Sequence, residues 1–398
     1  MKGMGKKKDE LTKRRWVLFG IWILSLIAIS FWGGAVSYGF FFGMTLIPLL
    51  SFAYLVAVYI FFRIYQKVES RDMVCGQPTP YFFVLQNDGI FPFASVSVRL
   101  FSSFSSVERM PENMEYELLR GDKYIFETNL ICKYRGEYEV GVKEVVVTDF
   151  FRLFRLKYRI PSTIRAIVKP RIVRVSELKS IGEIMSVLQT ESVYAGSESD
   201  VTLRDYIQGD AIKNISWKAS AHEQKLKVRN RIAEEKQGIV LFGDTRRYSS
   251  RIEEYLPLEN KILEIMVALG FFLAEKNTVF TVYIHQFKTI SKKVNGIHEF
   301  NDYYENLSKT VFHENADTVG LMRELTKQGI FAGCRVVFGV LHELNDEIMD
   351  MTIRLSESGV LVVLYVVTDE KYEDYVKLNN ERRKIITVPI EAEPEGRL

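Results

Sequence analysis

The sequence predicts an α/β domain and an all-β domain carried behind a two-helix membrane anchor. Three observations predict it. No charged side chain occurs from Trp16 to Phe62, and cations flank that run on both sides. Residues 76 to 175 alternate polar and apolar residues between turn signals. Beyond Gly238, continuous apolar β-branched runs alternate with helical patterns.

The uncharged run is too long for one crossing and suits two, since a helix needs about 20 apolar residues to cross a hydrocarbon core of roughly 30 Å. Trp16 to Val36 supplies the first span and Phe40 to Phe62 the second, with Gly33-Gly34 and Ser37-Tyr38-Gly39 as the turn. Lys2, Lys6, Lys7, Lys8, Lys13, Arg14 and Arg15 precede the hairpin, and Arg63, Lys67 and Arg71 follow it. Cationic flanks stay on the cytoplasmic side, so both ends and the polar remainder are expected in the cytoplasm, with the lipid bilayer as one partner. A cleaved signal peptide has a shorter apolar core and a small-residue cleavage site, and no second run follows it. Neither span contains an ionisable residue that would mark an ion path.

In the next region Val96, Val98 and Leu100 alternate with Ser95, Ser97 and Arg99, and Tyr138, Val140 and Val142 with Glu137, Glu139 and Lys143. Period two marks half-buried strands. Asn87-Asp88-Gly89, Arg120-Gly121-Asp122 and Arg135-Gly136-Glu137 separate them as turns, which predicts a β-sandwich. Lys169-Pro170-Arg171 marks its exit.

From Gly238 the apolar runs Ile239–Phe242, Val279–Ile284, Arg335–Leu341, Val360–Val367 and Ile385–Ile390 read as strands. Helices are expected over Asn260–Glu275, around Arg323, over Asp346–Ser356 and over Lys371–Leu378. Such alternation implies a parallel sheet covered on both faces, a doubly wound domain with any ligand beyond the carboxyl ends of its strands. The expected organisation is a basic N-terminus (1–15), a transmembrane hairpin (16–62), a β-sandwich (63–175), a connecting segment (176–237) and the α/β domain (238–398).

The net charge of +3 gives no support for nucleic-acid binding, and much of it is the N-terminal cluster. Cys75, Cys132 and Cys334 are far apart and odd in number, which fits free thiols in a reducing compartment.

The densest cluster of unusual residues runs from Gly196 to Glu235. Arg204, Tyr206, Gly209 and Asp210 form an Arg-x-Tyr-x-x-Gly-Asp element. Ile215, Trp217, Ser220 and Ala221 form an Ile-x-Trp-x-x-Ser-Ala element. Leu226, Val228 and Arg229 form a Leu-x-Val-Arg element, and Glu234 precedes the next apolar strand. In this register the segment resembles the family catalogued as domain of unknown function 58. Upstream, Arg135-Gly136-x-Tyr138 and Asp149-Phe150-x-x-Leu153-Phe154 are similar to two further elements of that family. The resemblance implies a von Willebrand factor A-like domain joined to a β-domain, an association with MoxR-type AAA+ ATPases and a chaperone-like role, with no established reaction.

Read physically, Leu226, Val228 and Ile232 alternate with basic residues, so this is a strand with one wet face. Gly209-Asp210 is a turn pair. Arg204 and Asp210 are candidates for a bidentate pair. Trp217 is expected to be mostly buried, as the anchor of a clasp holding this loop. The alternative is that the segment is a surface for a partner or ligand.

The resemblance also implies a possible Mg²⁺ site of the form Asp-x-Ser-x-Ser after the first α/β strand. That strand ends at Asp244, but Arg246 and Tyr248 stand where the hydroxyls should be, and an arginine cannot ligate a cation. Asp244 is therefore a degenerate position, expected to bond Arg246 or Arg247 or to cap the next turn, and neither metal nor cofactor is expected. None of His222, His285, His298, His313 and His342 lies three or four residues from another. Neither a nucleophile elbow nor a phosphate loop is present. No catalytic residue is assigned. The expected function is a membrane-anchored, non-catalytic adaptor or scaffold for a MoxR-type ATPase, assembling or maturing envelope or other complexes. The rivals are a hydrolase using polar groups near Asp210 and Asp244, and an envelope-binding module.

Overall fold

The structure is a computed structural model. It describes residues 2–160, 163–173, 201–207, 215–231, 238–285, 288–331, 333–370 and 377–391, with backbone only at 2–11, 201–204 and 229–231. The chain divides into two compact units, Met1–Arg171 and Ile172–Leu398.

The first unit begins with α1 (Lys2–Trp32) and α2 (Ala35–Phe61). The stretches Thr12–Trp32 and Ala35–Phe61 are each long and apolar enough to cross a membrane. The turn is tighter than the sequence suggests. Only Gly33 and Gly34 take positive φ (56° and 87°), and Ser37-Tyr38-Gly39 is already helical. Two glycines suffice because they reach the left-handed region without a Cβ penalty.

Helix α2 passes into β1 (Phe62–Val68) with no intervening residue. The strands that follow are β2 (Asp72–Val74), β3 (Pro78–Asn87), β4 (Phe93–Leu100), β5 (Ser105–Val107), β6 (Asn113–Leu118), β7 (Lys123–Cys132), β8 (Gly136–Val140), β9 (Val142–Thr148), β10 (Arg155–Tyr158) and β11 (Ile164–Lys169). They form sheets ordered β1-β3-β7-β5, β10-β9-β4-β6 and β2-β11-β8. Tyr81, Phe83 and Leu85 of β3 are buried, as are Val96, Val98, Val145 and Val147 of β4 and β9, so the period-two pattern points inward as expected. Tyr116 of β6 meets Phe126 of β7 with ring centroids 5.2 Å apart, which brings the two four-stranded sheets into contact. Tyr138 and Val142 belong to separate strands, divided at Gly141 (φ 84°).

In the second unit, β12 (Val201–Asp205), α3 (Trp217–Glu223) and β13 (Lys227–Arg231) precede the large sheet. That sheet uses β14 (Gly238–Gly243), β15 (Val279–His285), β16 (Thr289–Asn295), β17 (Cys334–Leu341), β18 (Leu361–Val367) and β19 (Arg383–Val388), in the order β16-β15-β14-β17-β18-β19. All neighbouring pairs are parallel except β15 with β16. Helices α4 (Ile252–Glu275), α5 (Gly296–Ser308), α6 (Thr318–Lys327) and α7 (Asp346–Glu357) cover it.

The strand residues divide between two cores. Leu241, Phe338, Val363 and Tyr365 pack with α4 and α5, while Val240, Phe242, Val337, Val362 and Leu364 pack with α6 and α7. Continuous apolar strands need exactly this two-sided cover. A Cβ on Gly243 would lie 2.2 Å from Met266 Sδ, so glycine lets α4 approach the end of β14 closely. The edge strand β16 and helix α5 were not expected from the sequence. The expected helix over Lys371–Leu378 lies largely outside the described residues.

Candidate functional site

Two places held candidate residues: the end of β14, and the motif segment. At the first, β14 delivers Asp244 to the carboxyl edge of the sheet, where its backbone N–H donates to Val340 O (2.8 Å). The side chain is 1 % exposed. Its Oδ1 accepts the Arg246 N–H (3.0 Å) and the Thr318 hydroxyl (2.6 Å), and its Oδ2 accepts the Tyr248 hydroxyl (2.5 Å). Three donors satisfy a buried carboxylate without a cation. Burial and the neighbouring Asp244 charge push the Tyr248 phenol far above its ordinary value, so it stays a donor.

The expected contact of Asp244 with Arg246 forms, as a cap of the following turn. Arg246 reaches Asp244 through its backbone only, and its guanidinium lies over the Tyr248 ring (5.2 Å). Arg247 turns away to grip the buried Glu259 with Nε at 2.7 Å and Nη2 at 3.3 Å, and stacks on Tyr255 (4.0 Å). Tyr248 also meets His342 edge-on (4.5 Å), whose Nδ1 lies 2.8 Å from Val367 O. Mg²⁺ demands a near-octahedral shell of oxygens that are free to ligate. Here both carboxylate oxygens already accept hydroxyl or amide protons, and the Arg246 guanidinium lies over the adjoining Tyr248 ring, so the residues present do not fit that ion. Thr318 was missed by sequence reasoning; its only local signal is its place behind the N-cap Asp317.

In the motif segment, β12 and β13 pair antiparallel with Arg204 opposite Val228. Tyr206 N–H donates to Leu226 O (2.8 Å) and Ser216 N–H to Lys227 O (2.8 Å), closing α3 onto β13. Ser220 is buried. Its hydroxyl donates to Ser216 O (2.8 Å) and accepts from Lys227 N–H (2.8 Å), so it is a structural bracket. Lys227 Nζ lies 2.8 Å from both Asp205 and Glu223, and these bonds, Asp205 first, push its pKa up to about 12. The same contact holds Asp205 below its ordinary value.

Trp217 overturns the expectation of burial: it is 64 % exposed. It opens α3, whose inward position is taken by Ser220 just after the buried Ile215, and it projects outward. Ile207 and Leu226 are exposed on the same module, and Ala221 is exposed and Tyr206 half-buried. Gly209, Asp210 and Glu234, and the side chains of Arg204 and Arg229, lie outside the described residues, so the pairing of Arg204 with Asp210 does too.

No family model matches the chain, and no curated protein matches it. Among solved structures it is similar to a CARDB domain from Pyrococcus furiosus in complex with di-metal ions (14 % identity, 27 % of this chain and 94 % of that one, TM-score 0.20). It is also similar to the manganese-loaded TRAP protein of Plasmodium vivax (7 % identity, 39 % and 70 %, TM-score 0.27). A third is a GH20 exo-β-N-acetylglucosaminidase from Vibrio harveyi (8 % identity, 82 % and 81 %, TM-score 0.20). At these TM-scores none carries an argument about fold or function.

Proposed function

We propose that the chain is a membrane-anchored, non-catalytic adaptor of the domain of unknown function 58 family. In this reading it has a β-sandwich and a doubly wound, von Willebrand factor A-like domain, both cytoplasmic, and works with a MoxR-type AAA+ ATPase. The observation that carries the reading is the exposed Trp217 on a hydrogen-bonded module. Tryptophan held outward on a fixed scaffold is the residue type most enriched at the energetic centre of protein interfaces. The commitment of Asp244 to Tyr248 and Thr318 supports it, because the hydrolase rival needs that carboxylate free.

The deciding experiment is Trp217→Ala in the full-length protein. An exposed side chain gives little stability, so the unfolding free energy should change by no more than about 0.5 kcal/mol, as for ordinary surface changes. Co-purification of the ATPase from membranes should be lost, since removal of an interface centre costs about 2 kcal/mol or more, roughly 30-fold in affinity. Retained co-purification with lowered stability would restore the clasp.

A further inference from the structure

The turn Asp149–Phe154, between β9 and β10, is built to hold two phenylalanines outward. Asp149 is buried, and its carboxylate accepts the N–H groups of Phe151 (3.1 Å) and Phe154 (2.6 Å) and the Ser51 hydroxyl of α2 (2.8 Å). Its carbonyl accepts Arg152 N–H (3.0 Å), and Arg152 takes a left-handed φ of 56°. The far end of the turn is equally fixed. Arg15 Nε of α1 donates to Leu153 O (2.6 Å) and its guanidinium lies over Phe154 (5.4 Å), whose ring meets Phe52 of α2 edge-on (6.2 Å). Every hydrogen bond of this arrangement is local or to the hairpin, yet Phe150 is 74 % and Phe151 50 % exposed. Leaving a large apolar side chain in water forgoes about 1.5–3 kcal/mol of burial.

The hairpin fixes the height of this turn. Trp22 Nε1 donates to Thr45 Oγ1 (3.0 Å), setting the register of the antiparallel helices. Two turns from that bond, about 10 Å at 1.5 Å per residue, bring Arg15 level with Phe52. Arg15 is the last cation before the uncharged run, so this level is the edge of the hydrocarbon. Beyond it, Leu55 and Val58 of α2 are buried in the β domain. A cavity of about 460 Å³ opens at the same level, lined by Leu50, Tyr54, Leu119, Phe150 and Phe151. Arg152 is exposed beside Glu115 (4.0 Å), placing a cation where lipid phosphates would lie.

We propose that Phe150 and Phe151 enter the interfacial layer of the bilayer, so that the β domain is itself a lipid-contact surface. This rests on reading α1 and α2 as membrane spans. Aromatic side chains favour that depth.

The test uses the full-length protein in phosphatidylcholine–phosphatidylglycerol vesicles, with an environment-sensitive fluorophore on single introduced thiols. Cys75, Cys132 and Cys334 are buried, so native labelling addresses the new site. The sites are F150C, F151C, L24C within the first span, and E112C beyond the far end of β6. Labels at 150 and 151 should shift to the blue, be quenched by brominated acyl chains and lose quenching by aqueous iodide, while 112 does the reverse. If 150 and 151 behave like 112 while 24 is quenched by bromine, the lipid contact is overturned and the spans stand. Blue-shifted labels at 150 and 151 that bromine does not quench overturn it equally, by pointing to a protein cover. If 24 is also aqueous, the membrane reading fails and takes this inference with it.

Discussion

Tyr248 and Thr318 satisfy the Asp244 carboxylate by hydrogen bonding, and this makes the end of β14 sensitive to single atoms. Tyr248→Phe deletes one bond to a buried charge and should cost about 1.5–3 kcal/mol, read from denaturant midpoints. Calorimetric titration of the protein with Mg²⁺ should show no saturable site at Asp244; a micromolar site abolished by Asp244→Ala would refute this reading. The replacement of the expected serines by Arg246 and Tyr248 was visible in the sequence. The Thr318 bond to Asp244 was not, because Thr318 is 74 residues distant and only the fold brings it to 2.6 Å. Trp217 failed for a different reason. Its size argued for burial, but three successive short contacts, through Ile215, Ser216 and Ser220, decide which side of α3 faces inward, and none announces itself in a linear pattern.

Helix α4 shows how tightly the elements of the α/β unit fit. A Cβ on Gly270 would lie 2.3 Å from the ring of Tyr303 in α5, and Tyr303 is fixed by burial and by donating its hydroxyl to Met266 O (2.7 Å). Gly270→Ala should therefore destabilise by about 1–3 kcal/mol despite alanine's better helix propensity, measurable by thermal melting. A stabilised variant would mean that α4 and α5 separate more easily than this packing implies. The apolar strands β14, β17 and β18 were legible because each is an unbroken run of residues suited to two-sided burial. Edge strand β16 was not: Lys292 and Lys293 give it the composition of a loop, as suits a strand whose outer edge must resist pairing. Helix α5 carried a readable stripe in Phe300, Tyr303 and Leu307, at helical spacing.

At the scale of the whole chain, the charge pattern around the hairpin supports the proposal that everything after Phe62 lies in the cytoplasm. A reporter active only in the cytoplasm, fused at the C-terminus, should be active, and alkaline phosphatase fused there should be inactive. The reverse result would favour the envelope-binding module.

The junction at Phe61–Phe62 has a mechanical consequence. Phe62 is fully buried, its carbonyl accepts the Tyr158 hydroxyl (3.1 Å), and Tyr158 also packs on Tyr59 within α2 (5.2 Å). A helix locked to its first strand in this way has no hinge, so if α1 and α2 span a bilayer as proposed, the β domain must follow any tilt of α2. A tilt of about 20°, the average for membrane helices, would carry the far end of a seven-residue strand sideways by about 8 Å. In that setting bilayer thickness, which sets the tilt, would reach the domain as a sideways displacement.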